Sequence, residues 1–131
     1  MVLLVEDSPA EATLACAALA LRCAAEVLAV RDIPAALDIL GRRGNGHSPV
    51  QIAILGREAI AGQVGKLVQA LSAAGGGVPV VGIADGLGQT ERTRALGTGV
   101  RALYDRPGEW RAYSALMGRV LSEWGVARSD A

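Results

Sequence analysis

The chain has no surplus of either charge: across its 131 residues, 13 Lys and Arg stand against 13 Asp and Glu. That balance supplies no electrostatic footprint for nucleic acid or an anionic membrane, so neither is expected as a partner. No apolar run approaches the ~20 residues of a membrane span. No basic stretch precedes the first apolar run, so no secretory signal is expected and the cytoplasm is the expected compartment. Cysteine is scarce, with two in the chain. Cys16 and Cys23 fall in one predicted helix, about 10 Å apart along its axis, too far for a disulfide. They are expected to be reduced, small and mostly buried. The single histidine, His47, lies in a predicted loop with no other ligand type near it, and Lys66 is the only lysine.

What is present is a strict alternation of short apolar runs and longer helical patterns. Strands are predicted at 2–5, 26–30, 50–55, 78–83 and 100–104, and helices at 9–22, 33–42, 59–73, 88–97 and 108–123. Gly44-Asn45-Gly46-His47-Ser48-Pro49 and Gly75-Gly76-Gly77 mark loops. Near-continuous Val, Ile and Leu in the strands imply a parallel sheet covered on both faces by helices. The expectation is one α/β domain over 1–126 with a frayed tail over 127–131. Its predicted form is a flavodoxin-like, doubly wound five-stranded sheet in the order 2-1-3-4-5, with five helices. In that order the carboxyl ends of strands one and three border the switch point. Glu6 and Asp7 stand on one side of it, Leu55 and Gly56 on the other.

Five stretches carry a further signal: Val5-Glu6-Asp7-Ser8-Pro9-Ala10, Val30-Arg31-Asp32, Val78-Pro79-Val80-Val81, Arg106-Pro107 and Trp124. In these the chain resembles the response-regulator receiver domain (CheY-like), in particular the stand-alone type that works with bacterial phytochromes. The resemblance implies a site of five parts. Glu6 and Asp7 match its acidic, Mg²⁺-holding pair. Counting six residues from Pro49 puts Leu55 where the phosphoacceptor aspartate belongs. Counting from Pro79 puts Ala84 where a Thr or Ser belongs. Arg106 replaces the lysine before the proline, a planar fork in place of a compact ammonium. Leu103 replaces the aromatic of strand five, with Tyr104 pointing to the opposite face.

A leucine has no oxygen to phosphorylate, so this resembles a degenerate receiver, a pseudo-receiver. With one carboxylate missing, no cofactor is expected, at most weak Mg²⁺ binding. Asp85, Asp105 and Glu58 border the same rim, but none is expected to replace the acceptor. Asp105 and Arg106 are expected to offset each other. The resemblance further implies a cis Arg106-Pro107 bond that aims Arg106 at Asp7. Gly41-Arg42-Arg43-Gly44-Asn45-Gly46 lacks the following Gly-Lys-Ser/Thr of a P-loop and is expected to be a helix end. Trp110, Tyr113, Met117, Val120 and Trp124 recur at helical spacing and are expected to form a core face.

The first helix is nearly devoid of polar residues. Leu14, Ala18 and Leu21 are expected to fill the core, leaving Thr13, Cys16, Ala17 and Ala20 outward as an interaction face. The function expected is a non-enzymatic module of two-component phosphorelay signalling that works by protein–protein contact without aspartyl phosphorylation. Expected partners are a histidine kinase, a phosphotransfer protein or another receiver, with a homodimer as one form. The alternative is a small-molecule or nucleotide binder using the crevice at the ends of strands one and three.

Overall fold

A computed structural model describes residues 1–43, 49–73 and 77–126. The loop glycines from Gly44 to Gly46, His47, Ser48, Gly75, Gly76 and the tail over 127–131 lie outside the described residues. The elements follow in the order β1 (Val2–Val5), α1 (Pro9–Arg22), β2 (Val27–Val30), α2 (Ile33–Arg42) and β3 (Ile52–Leu55). Then come α3 (Arg57–Ile60), α4 (Val64–Ala73), β4 (Val80–Ala84), α5 (Gln89–Gly97), β5 (Ala102–Asp105) and α6 (Trp110–Glu123). The five strands are parallel, as the alternation predicts, and ordered β2-β1-β3-β4-β5, the expected flavodoxin-like order. None of the described helices is long and apolar enough to cross a membrane.

The helix starts are set locally. Ser8 caps α1 by accepting from the Glu11 N–H at 3.3 Å, and Pro9 occupies the first turn, where its missing N–H costs nothing. Asp32 caps α2 in the same way, accepting from Ala35 N–H at 2.8 Å. The number of helices differs from the expected five. The pattern read as one helix over 59–73 is two, α3 and α4, broken around Gly62. Glycine is poorly suited to a helix interior, and here the Gly62 N–H closes a tight turn onto Ala59 O at 3.0 Å.

Side chains of the sheet alternate between two cores. Val2, Leu4, Ile52, Ile54, Val81 and Ile83 pack under α1 and α6, with Leu19, Met117 and Leu121. Leu3, Val5, Ala53, Leu55, Val80 and Ala84 pack on the other face, with Ile60, Leu67 and Leu71. Two expected core assignments fail. In α1 the buried side chains are Ala15, Ala18 and Leu19, while Leu14 is 38% and Leu21 63% exposed. The all-apolar sequence of α1 leaves the phase of its buried stripe undetermined, and packing against α6 chooses it. In α6, Tyr113, Met117 and Val120 are buried as expected, but Trp110, at the helix's first residue, is 41% exposed.

The α4 face is the plainest test of this packing. Leu67 is fully buried between α4 and the sheet. Leu67→Ala is expected to cost about 2–5 kcal/mol through lost burial and a residual cavity, read as a lowered urea midpoint with an unchanged slope.

Candidate functional site

The carboxyl ends of β1 and β3 bring Glu6 and Gly56 side by side. The register pairs Val5 with Leu55, and the Gly56 N–H donates to Val5 O at 2.9 Å. The pleat then sends Glu6 and position 56 to the α1/α6 face, and Leu55 to the other. Leu55 borders the site, but it is fully buried and its side chain packs with Val5, Ala84 and Leu103. The β3 residue directly beside the Glu6 carboxylate is Gly56, one beyond Leu55.

Gly56 is a glycine for space, since its φ of −80° suits any residue. A Cβ built on it would lie 1.5 Å from Glu6 Oε2. The Glu6 carboxylate fills the notch that the absent side chain leaves. Its Oε1 takes a long hydrogen bond from the Ser8 N–H, 3.4 Å. Burial pushes the Glu6 carboxyl above its ordinary value; the Ser8 N–H acts against that shift, and neighbouring Asp7 and Glu11 add to it.

Arg106 closes the other side. The Arg106-Pro107 bond is trans, because the described residues contain no cis peptide bond. This overturns the cis expectation and the Arg106–Asp7 contact that went with it. Arg106 Nε instead lies 2.6 Å from Glu11 Oε2, and its guanidinium carbon sits 5.0 Å from the centre of the Tyr113 ring. The Nε–H finds no acceptor in line, so the Glu11 contact is an ion pair rather than a directed hydrogen bond. Burial raises the Tyr113 phenol to about 12, against the opposing pull of Arg106, and keeps it neutral. The expected Asp105–Arg106 pair is absent as well. Asp105 takes Arg92 Nη2 at 2.5 Å, across the β5–α5 gap.

The space left among Glu6, Glu11, Gly56, Arg106 and Tyr113 is about 20 Å³, the size of one water. Asp7 is exposed on the opposite side, lining a separate cleft with Glu58. The acidic pair is thus divided between two faces of the sheet. Among the described residues no group of three His, Cys, Asp or Glu is placed to hold a metal ion. Ala84 is buried at the end of β4, and its carbonyl accepts the Arg106 N–H at 3.1 Å. Asp85 is exposed, and its carbonyl takes the Arg57 guanidinium. Tyr104 does turn away from Leu103; its hydroxyl donates to Glu123 at 2.6 Å and accepts from Trp124 Nε1 at 3.0 Å. Sequence reading missed Glu11 and Tyr113 as partners of Arg106. Their helical spacing is visible, but the pairing of α1 with α6 is not. Gly56 carried a signal, because a glycine at a buried strand end marks a close approach.

Two measurements test the notch. In Gly56→Ala the new methyl is expected to expel the Glu6 carboxylate into water, and carboxyl NMR titration should show its pKa returning toward 4.5, its ordinary value. In the wild-type chain the raised pKa means that folded Glu6 binds its proton more tightly than unfolded Glu6. Its contribution to stability is present below pH 4.5 and is lost as pH rises through the folded value. Glu6→Gln is therefore expected to be more stable than wild type at pH 7, with the gap closing as pH falls below 4.5 in paired denaturation curves.

No protein-family model matches the chain, and no curated protein does. Solved structures do. The phosphorylated cyanobacterial phytochrome response regulator RcpA is 19% identical with a TM-score of 0.74, over 98% of this chain and 97% of that one. The response regulator RPA3017 in red light signaling of R. palustris is 18% identical with a TM-score of 0.76, over 99% and 98%. The response regulator receiver domain from Rhodospirillum rubrum is 14% identical with a TM-score of 0.68, over 99% of each chain. What this chain shares with them along its length is the response-regulator receiver fold.

Proposed function

We propose that the chain is a receiver-like module of two-component signalling that acts through protein–protein contact, without aspartyl phosphorylation and without enzymatic activity. One observation carries this reading: the position beside Glu6 is Gly56, and the Glu6 carboxylate lies in the notch that a phosphoacceptor side chain would need. Phosphoryl transfer depends on an in-line nucleophile, a metal and charge-stabilising groups held together. Here the β3 position offers no carboxylate, Ala84 offers no hydroxyl, and Arg106 is engaged by Glu11. Among the similar structures, RcpA is phosphorylated and Rcp1 is Mn²⁺-bound. In this chain Asp7 faces away from Glu6, which argues against more than weak Mg²⁺ binding and against any cofactor in the site. Nor does about 20 Å³ accommodate a nucleotide in the crevice between β1 and β3.

In this reading the partner surface is the outward face of α1, and the exposure of its apolar residues supports it. Thr13, Ala17 and Ala20 are exposed and Cys16 is half-buried. The exposed Leu14 and Leu21 widen the apolar face beyond what the sequence suggested. A histidine kinase, a phosphotransfer protein, another receiver or a second copy of the chain would meet a helix here whose small side chains permit close approach. The folded interior of this helix is already satisfied by Ala15, Ala18 and Leu19 against α6, so the outward apolar residues are not needed for the monomer.

Incubation with acetyl phosphate, or with beryllofluoride and Mg²⁺, is expected to leave the mass and the amide shifts of Glu6, Asp7 and Gly56 unchanged. A stoichiometric, base-labile mass increase would overturn the reading. Leu55→Asp is not expected to restore phosphorylation. It places a carboxylate in the opposite apolar core, where an unpaired charge costs several kcal/mol, and should unfold or strongly destabilise the chain. Ala17→Glu and Ala20→Arg are expected to change stability by no more than about 0.5 kcal/mol. Both should weaken capture of the cognate partner, or self-association in sedimentation. Indifference to both would remove α1 from the proposed surface.

A further inference from the structure

The outward face of α1 has a pattern that selects its partner. Residues 12–21 carry no charge. Leu14, Ala17 and Leu21 recur at three- and four-residue spacing on the exposed side, the spacing of a seam between two helices. Leu14 and Leu21 are two of the four large apolar side chains exposed among the described residues. Ala17 stands between them, and a small residue at the centre lets two helix axes approach to about 8 Å.

Charge closes this strip at both ends, with opposite signs. Glu11 stands in the first turn of α1 and Arg22 in the last. They are roughly three turns apart, so both project from one flank. That flank is the side that meets α6: Glu11 faces Arg106, and Arg22 lies across Ser114 and Gly118. Neither is exhausted by these contacts. The Glu11 side chain is still 38% exposed. Arg22 is exposed, donates its Nε–H to the neutral Ser114 hydroxyl, and forms no ion pair among the described residues.

A strip of this kind is complementary to itself. A two-fold axis through Ala17, perpendicular to the helix, sets a second copy antiparallel to the first. Leu14 then meets the other copy's Leu21, Ala17 meets Ala17, and Glu11 meets Arg22. Each unlike contact is made twice, as a closed two-fold pair requires. A parallel pairing would instead set like charges side by side. Antiparallel helices also bring opposite ends of their dipoles together. The zero net charge of the chain adds no long-range repulsion between copies.

We propose that the α1 face takes a second copy of this chain, paired antiparallel about Ala17 with Glu11 against Arg22 at both ends. This rests on the reading of α1 as the partner surface. The helix has 14 residues, about 21 Å of length. One helix face of that length buries less than the roughly 1,200 Å² of a standard interface, which places the pair among weak, transient contacts. Its Kd is expected on the order of 100 µM.

The test is sedimentation equilibrium of the full chain up to about 1 mM, some tenfold above that Kd, with two charge reversals. Glu11→Arg and Arg22→Glu each put like charges at both ends of the pair. Each alone is expected to raise the dimer Kd about three- to tenfold, the scale of two exposed charge pairs. Mixed in equal amounts, the two variants set opposite charges together again, and association is expected to return to near the wild-type level. A folding defect does not produce that recovery, because each chain is the same alone and in the mixture. In a Cys16→Ser background, Ala17→Cys is expected to cross-link to its own counterpart under mild oxidation. A residue on the axis brings its two Cα atoms within the roughly 4–7 Å that a disulfide spans. The proposal is overturned if the wild-type chain stays monomeric at about 1 mM, or if mixing the reversed variants restores nothing. If the chain stays monomeric while Ala17→Glu still abolishes capture of a different protein, self-pairing fails and α1 remains the partner surface. If Ala17→Glu changes neither association nor capture, both fail.

Discussion

The two-residue alternation of side chains along β1 and β3 is the constraint on which the rest of the site depends. Glu6 and Asp7 follow directly on the end of β1 and line two different spaces. Glu6 goes to the α1/α6 side, where Gly56 leaves a notch for its carboxylate. Asp7 goes to the α2/α3 side, where it meets an open cleft. A pair that looks like one site in the sequence serves two places in the fold. The same alternation turns the Leu55 side chain toward the core that holds Val5, so that Leu55 only borders the pocket.

Charge pairing then follows proximity in the fold. Arg106, at the end of β5, could reach several acids. It takes Glu11, in the first turn of α1, because the packing of α1 against α6 carries that carboxylate to it and Tyr113 supplies a ring face for the guanidinium. Asp105, its neighbour, takes Arg92 from α5. The trans Arg106-Pro107 bond belongs with this arrangement, in which Arg106 ties β5 to α1. The result is a small pocket in which Glu6 is held above its ordinary pKa by burial. The space left beside that carboxylate is about 20 Å³.

Much of this was legible before any fold was known. The strand and helix pattern is legible from period and punctuation. The failures have physical reasons. An α1 made almost wholly of apolar residues has no polar face to fix its rotation, so Leu14 and Leu21 were misassigned to the core. The pattern over 59–73 is apolar at helical spacing on both sides of Gly62, and nothing in the period announces the break. The contact of Glu6 with Gly56 depends on the register of β1 against β3, which a count along one strand does not contain.

The sequence by itself determined the alternation of strands and helices, hence a parallel α/β fold, and the absence of any carboxylate from residues 50–56, because hydrophobic period, turn residues and residue identity are local properties. Only the tertiary structure decided that Glu6 fills the Gly56 notch, that Arg106 binds Glu11 rather than Asp7, and that Asp7 faces a cleft of its own. Each of these joins residues from separate elements, and their distances exist only once helices have packed on the two faces of the sheet.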